Sequence, residues 1–164
     1  MTGKLVYLDS SAILKRYLTE EGSELVDLLY RQAERGDITL GFSVWNIGEV
    51  IGVLDRYTTR DLLEKDEYQK TLGLFYRESE KHVKLGSLII EPVDHGVLVD
   101  AWGLIVKYHI YVADALQLST ARRLEAEVFV SADTLLAGKA GQEKYHVITM
   151  DQELGNVKDA LSSL

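Results

Sequence analysis

The chain has 164 residues and no cysteine. Disulfides, thiol nucleophiles, Fe–S clusters and cysteine-ligated zinc are thereby excluded. Proline occurs once, at Pro92, so no proline-rich linker divides the chain. No repeat or low-complexity tract is present either. No apolar run approaches the roughly 20 residues that span a bilayer. The opening residues show no basic-then-apolar leader, and a cytoplasmic location without membrane association is expected. No glycine-rich phosphate loop occurs, which argues against ATP hydrolysis. The four histidines, His82, His95, His109 and His146, lack the paired spacing of a metal site, and structural or surface roles are expected. Basic residues are the minority: 18 against 26 acidic, a net charge of -8. That balance is a poor fit for a protein that coats nucleic acid through bulk charge. It leaves room for an enzyme that meets nucleic acid at one cleft.

What is present is a hydrophobic fraction of 46%, enough for a sizeable core in one domain over residues 1–164. Short apolar runs ending in polar residues alternate with helical patterns. Strands are expected at 5–8, 38–42, 88–93, 128–130 and 145–150. Helices are expected at 12–18, 23–35, 44–57, 96–107 and 113–126, with a short one after Asp133. Ser43 is placed to cap the helix that follows it. The charged stretch 59–84 reads as one long helix or a hairpin. Strands alternating with helices predict the α/β class, a three-layer α/β/α sandwich around a central, mainly parallel sheet. In such sheets ligands bind outside the carboxyl ends of the strands. The residues just after each strand therefore carry the most information.

Those residues are acidic. Asp9 follows the first strand and Asp133 follows the fourth. Asp114 starts a helix, where the macrodipole is expected to keep it ionised. Glu49 falls at the margin of the apolar arc of its helix, beside Trp45 and Gly52. Each acid also has a plainer reading. Asp9 and Asp133 suit helix caps, Asp114 suits a helix-start charge, and Glu49 alone decides nothing. Taken together they suit a metal site, because crowded carboxylates repel one another unless a cation intervenes. Mg²⁺ and Mn²⁺ prefer oxygen ligands and keep several waters. Such a site serves phosphodiester hydrolysis by a metal-activated water.

The assembled motifs resemble the PIN-domain family and, within it, the VapC-type toxins. They are Val6-Tyr7-Leu8-Asp9-Ser10-Ser11-Ala12 with Thr19-Glu20-Glu21-Gly22-Ser23-Glu24, then Ser43-Val44-Trp45-Asn46-Ile47-Gly48-Glu49-Val50. Val112-Ala113-Asp114-Ala115-Leu116-Gln117-Leu118 and Val128-Phe129-Val130-Ser131-Ala132-Asp133 follow in the family's order. The resemblance implies a PIN-like fold and Mg²⁺- or Mn²⁺-dependent endoribonuclease activity. It assigns Asp9, Glu49, Asp114 and Asp133 as the catalytic and metal-binding quartet, with Ser10 and Ser131 as supporting hydroxyls. It also implies an RNA substrate, a small antitoxin that blocks the site, and a homodimer. A standalone RNA-processing nuclease shares the same quartet, and a non-catalytic PIN-like module that binds RNA or protein is a further reading. A phosphate-accepting receiver domain needs a lysine after the last strand, where this chain has Met150 and Asp151. Lys15, Arg16, Arg122 and Arg123 read equally as RNA guides or as solvated helix faces. Tyr7, Tyr108 and Tyr111 read as core or rim aromatics.

Overall fold

A computed structural model describes residues 3–163; the expected domain limits at 1 and 164 lie outside the described residues. The elements run β1 (Lys4–Leu8), α1 (Ser10–Tyr17), α2 (Ser23–Arg35), β2 (Ile38–Ser43), α3 (Val44–Thr59), α4 (Lys65–Lys84), β3 (Leu88–Glu91), α5 (His95–Tyr108), α6 (Val112–Arg123), β4 (Val128–Ser131), α7 (Thr134–Gln142), β5 (His146–Thr149) and α8 (Leu154–Ser163). The five strands form one sheet in the order β3-β2-β1-β4-β5. Every pairing is parallel, so the expected α/β/α sandwich with a parallel sheet is what the chain adopts.

Register sorts the apolar side chains onto two faces. Val6 pairs with Leu40 and Val128, and Leu8 with Val130. These residues share a core with α1, α2, α3, α4 and α8. Tyr7 pairs with Gly41 and Phe129. That face is covered by α5, α6 and α7. Strands buried on both faces must be apolar throughout, which is why they read as continuous runs.

Three elements depart from the sequence reading. The stretch expected as one helix or a hairpin is one long helix that begins later than expected. Helix α3 runs on to Thr59, residues 60–64 turn with Asp61 at a φ of 55°, and α4 starts at Lys65. Strand β3 stops at Glu91, one residue before Pro92, which has no N–H for the ladder. Helix α8 was not anticipated. Its burial rests on Val157 and Leu161, too few apolar residues to give a periodic signal.

Gly41 lets α6 close on the sheet. A Cβ there would lie 2.9 Å from Leu124 Cδ1 and 3.1 Å from Leu5 Cδ2. Gly41→Val is expected to destabilise the fold by about 1–3 kcal/mol through overpacking. A urea titration should show a lower midpoint with an unchanged slope.

Candidate active site

The strand order reverses between β1 and β4: from β1 the chain builds outward through β2 and β3, then returns to β4 on the other side. A crevice opens at such a reversal, beyond the carboxyl ends of the two strands. Asp9 follows β1 and Asp133 follows β4, so both reach it. The Asp9 N–H donates to Val130 O at 3.1 Å, carrying the parallel ladder up to the acid itself. Glu49 arrives from α3 and Asp114 from the first turn of α6. All four carboxylates line one cleft of about 540 Å³.

The capping and site readings of Asp9 and Asp133 turn out to be compatible. Asp9 caps α1, its Oδ1 accepting from the Ala12 N–H at 2.7 Å and from Ser11 Oγ at 2.7 Å. Its Oδ2 accepts from Ser131 Oγ. Asp133 caps α7, its Oδ1 accepting from the N–H groups of Leu135 at 2.8 Å and Leu136 at 3.1 Å. Ser131 Oγ also accepts from the Asp133 N–H at 2.9 Å, and Ser11 Oγ accepts from the Ala132 N–H at 2.9 Å. The turn after β4 is thereby fastened to the start of α1.

Glu49 is held by a buried network that joins five elements, β1, α1, β2, α3 and α6. Its Oε2 accepts from Gln117 Nε2 at 2.6 Å and from Ser10 Oγ. Gln117 Oε1 accepts from Tyr7 Oη at 2.7 Å and from Asn46 Nδ2 at 2.7 Å. Asn46 Oδ1 accepts from the Ser43 N–H and from Ser43 Oγ, both at 2.7 Å. Asn46 Nδ2 and Gln117 Nε2 also donate to Ser10 Oγ, at 2.9 and 3.2 Å. Each amide therefore uses two donor hydrogens and both acceptor sites, its full complement. Ser10 and Ser131 thus contact the carboxylates. Ser11, Asn46 and Gln117 were missed by the sequence reading. Asn46 lies three residues before Glu49 and Gln117 three after Asp114, a spacing that shares a helix face and is the available signal.

Burial and like charge set the electrostatics. Asp9 is 2% exposed, and burial pushes its carboxyl up to about 6 against the hydrogen bonds from Ser131, Ser11 and Ala12. The Asp133 charge pushes the same way. Asp114 is also raised, first by burial and then by Asp133 and Glu49. The macrodipole does not hold it down, because desolvation and two nearby carboxylates outweigh a helix terminus. Among the described residues no three histidine or acidic side chains stand close enough to hold one ion together. Four carboxylates and the hydroxyls of Ser10 and Ser11 nonetheless line the cleft, an oxygen-rich set without histidine or sulfur. Among the described residues, Glu49 Oε1, Asp133 Oδ2 and both Asp114 oxygens have no hydrogen-bond partner. That set fits an oxygen-preferring divalent cation bound by one or two carboxylates, with waters bridging to the others.

The basic residues singled out in the sequence belong to ion pairs. Lys15 pairs with Glu20 at 2.7 Å, and Arg16 with Asp27 and Glu78, each at 2.6 Å. Arg122 pairs with Asp100 and Glu143, and Arg123 with Asp94. None lines the cleft, whose cation is Arg56. No histidine lines it either. His82 is buried, its Nδ1 2.8 Å from Ser87 Oγ. Tyr7 is a core residue and Tyr111 is exposed.

Gln117→Leu deprives Tyr7, Asn46 and Glu49 of one partner each, and is expected to cost about 2–4 kcal/mol in denaturant unfolding. Asp9 makes stability depend on pH. Its carboxyl holds a proton in the folded chain up to about pH 6, whereas the unfolded chain loses it near 4. Stability therefore falls as pH rises through that window, by up to about 3 kcal/mol. Without divalent ions, wild type should lose that much more stability than Asp9→Asn between pH 4 and 7, read from denaturant midpoints at each pH.

No curated protein sequence matches this chain. Solved structures share its fold. The FitAB complex bound to a DNA fragment matches at a TM-score of 0.63 and 18% identity, over 90% of this chain and 96% of the other. PAE2754 from Pyrobaculum aerophilum matches at 0.58 and 15%, over 99% and 100%. VapC20 from Mycobacterium tuberculosis, a sarcin-ricin loop cleaving toxin, matches at 0.58 and 13%, over 82% and 94%. At these identities the likeness establishes the fold. The family follows from the sequence itself: residues 6–142, which include all four cleft carboxylates, match the PIN domain, and the chain belongs to the PIN domain family.

Proposed function

We propose that the chain is a Mg²⁺- or Mn²⁺-dependent endoribonuclease that hydrolyses RNA phosphodiester bonds, acting through Asp9, Glu49, Asp114 and Asp133. The observation that carries this reading is the convergence of four carboxylates in one cleft at the sheet's reversal point. Building that cluster without a cation raises the carboxyl groups of Asp9 and Asp114, a cost that a metal-dependent site explains and a purely structural one does not. A bound divalent ion supplies charge neutralisation at the phosphate and an activated water.

The residues divide the remaining work. Asp9 is fixed by three donors and would hold the ion. Asp133 has one oxygen engaged in its cap and the other directed to ligand duty. Glu49 has one oxygen fixed by Gln117 and Ser10, which leaves Oε1 to orient water and take up its proton. Asp114 completes the negative rim. Ser10 and Ser131 hold the carboxylates in place.

The same proposal makes the chain the toxin of a toxin–antitoxin pair, silenced by a small antitoxin protein and working as a homodimer. Its fold likeness to a sarcin-ricin loop cleaving toxin supports this reading. Val99, Trp102 and Val106 form an exposed apolar stripe on α5 that suits a protein partner.

Purified protein incubated with a mixed RNA pool is expected to cut it with Mg²⁺ or Mn²⁺ and to stop in EDTA. Asp9→Asn should lower the rate by about 100-fold or more. Full metal-dependent cleavage by Asp9→Asn would overturn the residue assignment. Binding of the RNA with no cleavage under either metal would favour a non-catalytic RNA-binding module.

A further inference from the structure

Helix α3 carries an unusual face into the cleft. Trp45, Gly48, Glu49, Gly52 and Arg56 all line it, at spacings of three, four and seven residues that keep them on one side of the helix. Glycine weakens a helix interior relative to alanine, yet two occur here within one turn. Packing does not require either of them. A Cβ at Gly48 would meet nothing within 4 Å, and one at Gly52 would meet only the Arg56 guanidinium, at 3.6 Å. Both backbone positions allow an α-helix of any residue, since neither has a positive φ. What the two glycines provide is an open trough along the helix surface.

The ends of that trough are chemically distinct. Trp45 is 41% exposed and takes part in none of the ring contacts among the described residues. An exposed indole beside an open channel is a stacking platform for a planar group. Arg56 is the one cation lining the cleft, and its guanidinium has no ion-pair or hydrogen-bond partner among the described residues. Arg16, Arg122 and Arg123, by contrast, are all paired. An unpaired guanidinium at a cleft suits a phosphate. Seven residues separate it from Glu49, about 10 Å along the helix axis. A cationic peptide drawn to the carboxylates would be repelled by Arg56, whereas a polyanion held by metal at one end and guanidinium at the other would not.

We propose that the α3 face Trp45–Gly48–Gly52–Arg56 is the subsite for the single strand flanking the cut: a base stacks on Trp45, the sugar–phosphate backbone passes over the two glycines, and Arg56 takes a phosphate beyond the reacting one. This rests on the nuclease reading above. None of these four residues performs chemistry. They position the substrate, so their loss is read in KM rather than kcat.

The test uses a random-sequence pool of single-stranded 12-mer RNA with Mg²⁺. In Trp102→Phe, Trp45 is the only tryptophan, and its fluorescence should be quenched saturably as RNA is added. Arg56→Gln, Trp45→Ala and Gly48→Leu should each raise KM for cleavage about tenfold or more while kcat stays within about threefold. Arg56→Lys should recover most of the loss. Gly48→Leu introduces a good helix former, so its melting temperature should equal or exceed that of the wild type while its KM rises. A merely structural role would not separate those two readouts. Wild-type cleavage with unchanged KM in Trp45→Ala and Gly48→Leu would overturn the subsite and leave the nuclease standing. Quenching by RNA without cleavage under either metal would overturn the nuclease and leave the strand trough. Absence of both would overturn both. Quenching by an oligo-arginine peptide but not by RNA would make the trough a peptide groove and overturn the proposal.

Discussion

The pair of buried amides at Asn46 and Gln117 is the interaction on which the rest of the site depends. Three separate elements, β1, α3 and α6, meet beneath the cleft, and each contributes a polar side chain to a place where water has little access. A buried amide short of partners is costly, and a fully satisfied one specifies a single geometry. Here every donor and acceptor of both amides is engaged. The Tyr7 hydroxyl gives its proton to Gln117, and burial raises its pKa far above the ordinary phenol, so it remains a donor. The register between α3 and α6 is therefore fixed by hydrogen bonds as well as by packing, and with it the position of Glu49.

Above that network the molecule accepts electrostatic conflict. The strand order brings two strand ends together, and the residues at both ends are aspartates. One of them is buried among its donors. Helix capping makes this arrangement tolerable. Asp9 and Asp133 each satisfy backbone N–H groups that would otherwise lack partners. Asp9 spends both oxygens on its neighbours, whereas Asp133 caps α7 with one oxygen and keeps the other clear of the cap.

Much of this was legible in the sequence, for identifiable reasons. The strands were readable because a parallel sheet buried on both faces requires uninterrupted apolar runs, and Leu8, Val130 and their neighbours supply them. Asp9 and Asp133 stood out because they end such runs. Glu49 and Asp114 were harder, since a carboxylate on a helix looks like any solvated charge. Asn46 and Gln117 were not read at all: an amide's burial depends on what other elements bring to it, and those contacts join residues as far apart as 7 and 117. Arg16 and Arg122 looked like free basic residues for the same reason, because Glu78 and Glu143 are distant in sequence. The macrodipole argument for Asp114 was local, whereas burial and two acids on other elements, Asp133 and Glu49, push its pKa up. Helix α8 escaped notice because two buried residues do not make a period.

The central place of β1 in the sheet has a consequence for synthesis. Its neighbours are β2, about 35 positions later, and β4, more than 120 positions later. Chains emerge from the ribosome beginning at the amino end, and early segments fold first. Half of the sheet can assemble on β1 while its other edge still waits for a partner. Ser131 and Asp133 reach Asp9 only after β4 has docked. Until β4 and the turn after it have been made, the acidic cleft is missing a wall, and its carboxylates are not yet brought together on the growing polypeptide.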